Sequence, residues 1–256
     1  MLNYIRAELW KAFRRRYFWV ATLLLLAGAV YSTTTIWVPA GENLTDNLVD
    51  LLLALLPLVG LFMVLVIEDA SFQDQYRYGT LKNEVVYGIP RARIYLGKEF
   101  AAALLGMLCA GVVLGIYLLL SAVLPGAAEG EALARALSAA LFQILCALPL
   151  WLGALGLAHF FYMLFPSGVG AAIAYVLFLT VGGSAVELVY VNTVPGTAAR
   201  DAVELIRLGT LLGPFELLRP MTGVPRYLAY AWAVGMGWFW GCTAVGILGF
   251  RLRDIR

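Results

Sequence analysis

The sequence predicts an all-α membrane protein with six transmembrane helices, and three observations predict it. The 256 residues are 62% hydrophobic and 13% charged, about half the charge that a soluble surface carries. Six uncharged apolar runs recur, at 18–38, 51–67, 100–124, 136–158, 167–186 and 227–250. Each approaches the roughly 20 helical residues needed to cross a hydrocarbon core about 30 Å thick, where only a helix satisfies its own backbone. The bases are also distributed unevenly. Arg6, Lys11, Arg14, Arg15 and Arg16 precede the first run, five more lie at 77–98, and Arg251, Arg253 and Arg256 follow the last. The connection at 39–47 carries Glu42 and Asp46 and no base. An excess of bases marks the cytoplasmic side, which places both termini and the 69–98 loop inside. Segment 187–226 falls outside by parity, against the grain of its four arginines.

Taken from the start, residues 1–17 read as an amphipathic helix on the inner membrane surface. Leu2, Ile5, Leu9 and Phe13 recur at three- and four-residue steps, and Lys11, Arg14 and Arg15 lie round from them. Trp10, Tyr17, Phe18 and Trp19 suit the interface. The first apolar run is full length and lacks a small-residue cleavage site, so it reads as a span and not a removed signal. Asn43-Leu44-Thr45 matches a glycosylation sequon. Pro57 and Pro149 are expected to kink spans 2 and 4.

Between spans 2 and 3 the loop is punctuated. Gly79-Thr80 opens a turn, Leu81 to Tyr87 reads as a short helix, Gly88 stops it, and Pro90 starts the next. A helix this short is marginal alone, so something must support it. Leu81 and Val85 share a face, with Lys82, Asn83 and Glu84 around them. An apolar anchor with a polar rim is how a small protein–protein contact is built.

His159, the only histidine, lies near the inner end of span 4. It has no acidic or Cys neighbour at ligand spacing, so neither a zinc site nor a protease motif is formed; it is expected to be a hydrogen-bonded interfacial residue, the alternative being an intramembrane polar group that serves a gate or a proton relay. Glu187, near the outer end of span 5, is the sharpest intramembrane polar residue: either a gate, or a wet carboxylate paired with Arg200 or Arg207. Asp50 is expected to be solvated. Cys109, Cys146 and Cys242 fall in predicted spans without metal spacing and read as small apolar residues. Gly182-Gly183-Ser184 and Gly235 with Gly237 permit close helix approach. Before span 6, Thr197 is expected to cap a helix that runs through Gly213 and stops at Gly213-Pro214, in a segment that is interfacial or re-entrant.

The run Tyr78-Gly79-Thr80-Leu81-Lys82-Asn83, then Gly88-Ile89-Pro90-Arg91, then Ile94-Tyr95-Leu96-Gly97-Lys98, resembles the first cytoplasmic loop of type-2 exporter permeases of the ABC superfamily. The similarity looks closest to the bacitracin- and lantibiotic-immunity branch. Pro90 stands where a Ser is common there, and Glu84-Val85-Val86 where an apolar pair followed by Ser is common. The resemblance implies a coupling helix seated in a groove of a separate ATP-binding subunit. Gly79, Thr80, Leu81, Lys82, Asn83 and Val85 would meet that subunit, and Arg91 and Lys98 would brace the base of span 3. It also implies a second permease copy, identical or a sister. No cofactor is expected on this chain, ATP and Mg being held by the partner, because Gly97-Lys98-Glu99 lacks the upstream Gly and the hydroxyl of a phosphate loop.

The sequence therefore points to one permease domain over 1–256 in a bacterial inner membrane, exporting an amphipathic substrate such as a peptide antibiotic, lipid or hydrophobic drug. Its partners would be the ATPase, a second permease and the bilayer, with no nucleic acid. An intramembrane enzyme would need facing catalytic groups that no motif supplies. The alternative is a non-transporting membrane sensor or scaffold built on the same fold.

Overall fold

The computed structural model describes residues 2–35, 44–77, 80–123 and 130–252. Tyr78, Gly79, Asn43 and the tail bases Arg253 and Arg256 lie outside them. Among the described residues every regular element is a helix. A short α1 (Leu2–Phe13) leads into α2 (Arg16–Thr35), followed by α3 (Leu44–Pro57), a π-helical segment (Leu58–Phe62) and α4 (Met63–Arg77). Then come α5 (Thr80–Val86), α6 (Arg91–Val123), α7 (Glu131–Leu164) and α8 (Gly168–Asn192). The chain continues through α9 (Ala198–Leu208), α10 (Gly213–Leu217) and α11 (Pro225–Leu252). Six helical stretches are long and apolar enough to cross a membrane: Arg16–Thr34, Asp50–Phe72, Arg91–Val123, Glu131–Leu164, Gly168–Asn192 and Pro225–Leu252. The six expected spans are present, and two are much longer than their apolar runs. At 1.5 Å per residue the 33 residues of α6 reach about 50 Å, so its first turns carry charged residues beyond the apolar run and into the packed bundle.

The second span is continuous through Pro57. A proline lacks the N–H that would bond back along the helix, and the five residues after it are π-helical. A π turn loosens the regular ladder, and carbonyls inside a membrane still need donors. Side chains of neighbouring spans supply them. Trp151 Nε1 donates to the Leu56 carbonyl at 3.0 Å, Tyr175 Oη to Leu61 at 2.8 Å and Tyr162 Oη to Leu65 at 3.2 Å. Trp151 lies flat on Gly60, where any Cβ would fall within the indole.

Among the described helices the most extensive packing is α11 against α7. Gly235 makes it possible, since a Cβ there would lie 2.2 Å from the Pro149 carbonyl group, and Gly153 and Gly156 return the fit against Gly235 and Phe239. Gly237 and Gly182 meet nothing within 4 Å, and Gly183 only touches Leu212. Of the glycines expected to permit close approach, Gly235 performs that role at a helix crossing.

At the end of the bundle away from α1, the segment before α11 differs from expectation in one respect. Thr197 does cap α9, accepting from the Arg200 amide at 3.3 Å. The helix stops at Leu208, with the Gly209 N–H closing onto Leu205 and Ile206. Gly213-Pro214 begins α10 and does not end α9, because a proline in the first turn of a helix gives up an N–H that has no partner anyway.

Candidate coupling site and the polar core behind it

The helix expected at Leu81 to Tyr87 is present as α5, Thr80–Val86, and Gly88 ends it with φ 80°. The Gly88 and Ile89 amides bond to the Val85 and Glu84 carbonyls, a left-handed termination that suits glycine. α6 follows directly, with the Pro90 carbonyl accepting from Arg93 and Ile94. Lys82 and Asn83 are exposed. So are Val86 and Tyr87, at 82% and 85%, two large apolar residues that none of the described residues covers. Val85 is turned the other way. With Ile89 it packs onto a small core of Phe72, Ile94, Tyr95, Tyr162, Met163, Ala171 and Phe250. Among the described residues the exposed apolar pair at the end of α5 is Val86 and Tyr87, and Val85 anchors the helix to the bundle. Thr80 is the first residue of α5 and Leu81 the second; their side chains are outside the described set.

Support comes from α1. Tyr4 Oη donates to Glu84 Oε2 at 2.7 Å, joining the two short helices. Burial, reinforced by the Glu8 and Glu84 carboxylates, holds that phenol protonated far above its ordinary range. The Tyr4 ring lies on Gly97, where a Cβ would come within 2.4 Å of it. One turn on, Glu8 is buried between two cations. Lys98 Nζ lies 3.1 Å from its Oε2, an ion pair off the axis of a hydrogen bond, and Lys11 Nζ donates to its Oε1 at 2.8 Å. Burial alone would raise the Glu8 carboxyl, but Lys98 and Lys11 outweigh it and hold it below the usual carboxylate range. Lys98 has no exposed surface and also faces the rings of Phe72 and Tyr4 at 5.4 and 5.8 Å. The face of α1 that meets the bundle is Tyr4, Glu8 and Ala12. It lies about 100° round the helix from the stripe of Leu2, Leu9 and Phe13, where Leu2 and Phe13 remain exposed. Arg91, at the base of α6, donates to the Phe250 and Arg251 carbonyls at 3.1 and 2.7 Å and so caps the end of α11.

Behind this buttress lies a polar cluster. His159 is fully buried within the bundle, and its Nδ1 is 2.9 Å from Glu68 Oε2 on α4, also fully buried. Glu99 of α6, one residue beyond Lys98, is buried as well and lies 2.7 Å from Thr243 Oγ1 of α11. The His159 ring meets Tyr95 edge-on at 4.6 Å and Phe72 at 5.2 Å. Gly246 makes room for the Tyr95 hydroxyl. Glu8, Glu68 and Glu99 escaped notice in the sequence. Glu68 and Glu99 abut the apolar runs, where a charge looks the same whether it enters headgroups or turns inward. The usable signal was their adjacency to those runs, together with a lone histidine needing a partner.

At the far end, Glu187 accepts from Arg207 Nε, and Arg207 Nη2 lies 3.2 Å from Glu216. The Glu187 side chain is 43% exposed and borders a cavity of about 430 Å³ between α8, α9 and α10. Glu187 and His159 stand at opposite ends of the bundle and are not brought together. Arg200 caps α8 through the Tyr190 and Thr193 carbonyls. Asp50, exposed as expected, pairs with Arg219 at 3.1 Å. Groups of three or more His, Cys, Asp or Glu residues able to hold a metal are absent among the described residues.

Residues 4–186 match the family described as ABC-2 family transporter protein, a span covering all the elements from α1 to most of α8. No curated protein matches the chain.

Proposed function

The chain belongs to the ABC-2 transporter family and is thus a permease component of an ABC transporter that works in the membrane with an ATP-binding subunit, and we propose that it is the membrane half of an exporter docked to that subunit through α5. The observation that carries this reading is the exposed Val86–Tyr87 tip, rimmed by Lys82 and Asn83 and held from behind by Tyr4–Glu84 and by Val85 in the core. A docking helix that transmits force needs an apolar anchor outward and a rigid attachment inward, and α5 has both. Closure of two ATP-binding subunits would pull on α5, and through it on α4 and α6, the helices it joins. ATP and its Mg are held by the partner. Gly79, Thr80 and Leu81 extend the contact at the start of the helix, and Arg91 and Lys98 transmit the load to α11 and α1.

The bases clustered at α1, α5 and the end of α11 support a cytoplasmic location for that side in a bacterial inner membrane. A homodimer or a pair of sister permeases completes the assembly. The substrate is amphipathic, a reading supported by an apolar groove of about 540 Å³ between α7, α8 and α11, lined by Phe160, Phe161, Phe178, Gly237 and Trp238. Coexpression with the ATP-binding subunit tests the docking. Leu81→Asp with Lys82→Glu, and separately Val86→Asp with Tyr87→Asp, should each abolish copurification and stimulated ATP hydrolysis while leaving the permease folded. Retention of the complex by both variants would overturn the reading.

A further inference from the structure

We propose that Glu68, His159 and Glu99 form one buried proton-binding site that joins α4, α6, α7 and α11. All three ionisable groups have no exposed surface. An isolated charge in such a place costs far more than a paired or neutralised one. Two carboxylates and a neutral imidazole, which carries one N–H of its own, are neutral together when they take up two further protons, and the geometry has a place for each. The first lies between His159 Nδ1 and Glu68 Oε2, at 2.9 Å.

The second lies at Glu99. Thr243 Oγ1 is 2.7 Å from Glu99 Oε1 and also 2.7 Å from the Phe239 carbonyl. A hydroxyl has one proton and a carbonyl can only accept. When Thr243 donates to Phe239, its contact with Glu99 requires a proton supplied by Glu99. Four further polar atoms, Glu68 Oε1, Glu99 Oε2, His159 Nε2 and Tyr95 Oη, are buried without a hydrogen-bond partner among the described residues. Of these, Glu68 Oε1 and Glu99 Oε2 are acceptors to which a proton can move without unfolding the site.

The electrostatic surroundings are defined on every side. α4 also brings Asp69, which faces Tyr162 of α7, and α11 brings Cys242, which faces Glu99 and Tyr95. α6 brings Lys98, which pairs with Glu8 of α1 and also acts on His159. The site thus sits one layer behind the buttress of α5, on the two helices that α5 joins. Drawing α4 from α7, or α6 from α11, breaks one of the two proton contacts and releases or takes up a proton.

His159 is the sole histidine, so its imidazole is a private reporter of this site. The test uses the full chain, labelled with ¹⁵N-histidine and purified on a tag free of histidine, in nanodiscs of phosphatidylcholine and phosphatidylglycerol. The imidazole nitrogen signals are followed with pH, and the carboxyl C=O infrared band is followed in parallel. We expect the ring to titrate, and Glu68→Gln and Glu99→Gln each to move its midpoint by about one pH unit or more. Glu99→Gln should also remove a protonated-carboxyl band. Thr243→Val, which keeps shape and charge, should move the midpoint by less and serves if the Gln variants misfold. A ring that stays in one form wherever the protein is folded, or a midpoint that none of the three variants moves, would overturn the proposal. No ATP-binding subunit is needed, so the result is independent of the docking reading.

Discussion

Glu8 is buried between Lys98 and Lys11, and that arrangement fixes what its removal does. Breaking a buried pair leaves one charge uncompensated, whereas removing both partners does not. Lys98→Met should therefore cost about 3 kcal/mol or more, and Glu8→Gln a comparable amount, while the double variant is less damaged than Lys98→Met alone. Thermal unfolding in detergent reads all three. The pH dependence follows from the same contact. Because the folded carboxyl is held below its unfolded value of about 4.3, its stabilisation is complete above that value and is lost as pH falls through the folded one. Hydrogen exchange over Leu2–Phe13, corrected for intrinsic rates, should show α1 loosening in that acidic window, and Glu8→Gln should abolish the transition. None of this was legible in the sequence. Glu8 and Lys98 are far apart in the chain, and α1 reads as a helix whose apolar stripe alone decides its placement. Gly97, by contrast, stood in the recognisable loop motif, and the structure gives the reason: Tyr4 lies on it.

Among the helices, glycines that look alike in sequence behave differently by position. Gly235→Ala would drive a methyl group into the Pro149 backbone, so it should separate α7 from α11 and sharply reduce the yield of folded protein. Gly237→Ala, two residues away, meets open space and should be tolerated. Size-exclusion profiles and thermal midpoints of the two variants distinguish them directly. The π segment makes a similar claim, since Trp151→Phe keeps the ring on Gly60 but leaves the Leu56 carbonyl without its donor, at a cost of about 1–3 kcal/mol. The positions of the six spans were readable because each holds a local run of uncharged residues. The short α5 was readable from Gly88 and Pro90, residues whose backbone constraints act on their immediate neighbours. The π turn after Pro57 and the early end of α9 were not, since they depend on Trp151 and on the turn closed by Gly209.

At the scale of the molecule the two ends of the bundle differ. One end carries α1, α5 and the cap that Arg91 places on α11; the other carries α9 and α10, with Leu205 71% exposed and Ile206 beside it. α9 has no buried residue, and its apolar face is available to a membrane surface, which favours an interfacial over a re-entrant placement. The six-span bundle and the loop that bears α5 were legible from composition, charge and motif. The polar core of Glu68, His159 and Glu99 required knowing which spans meet, because three separate helices supply it.

The most direct test of α5 as the docking element uses a chain whose Cys109, Cys146 and Cys242 are replaced by alanine, with a single cysteine introduced by Tyr87→Cys or by Leu205→Cys. The rate of labelling by a bulky, membrane-impermeant maleimide is measured in the purified permease with and without its ATP-binding subunit. We expect the subunit to suppress labelling in Tyr87→Cys several-fold and to leave Leu205→Cys unchanged. Equal labelling of Tyr87→Cys in the free permease and in an intact complex would contradict the account.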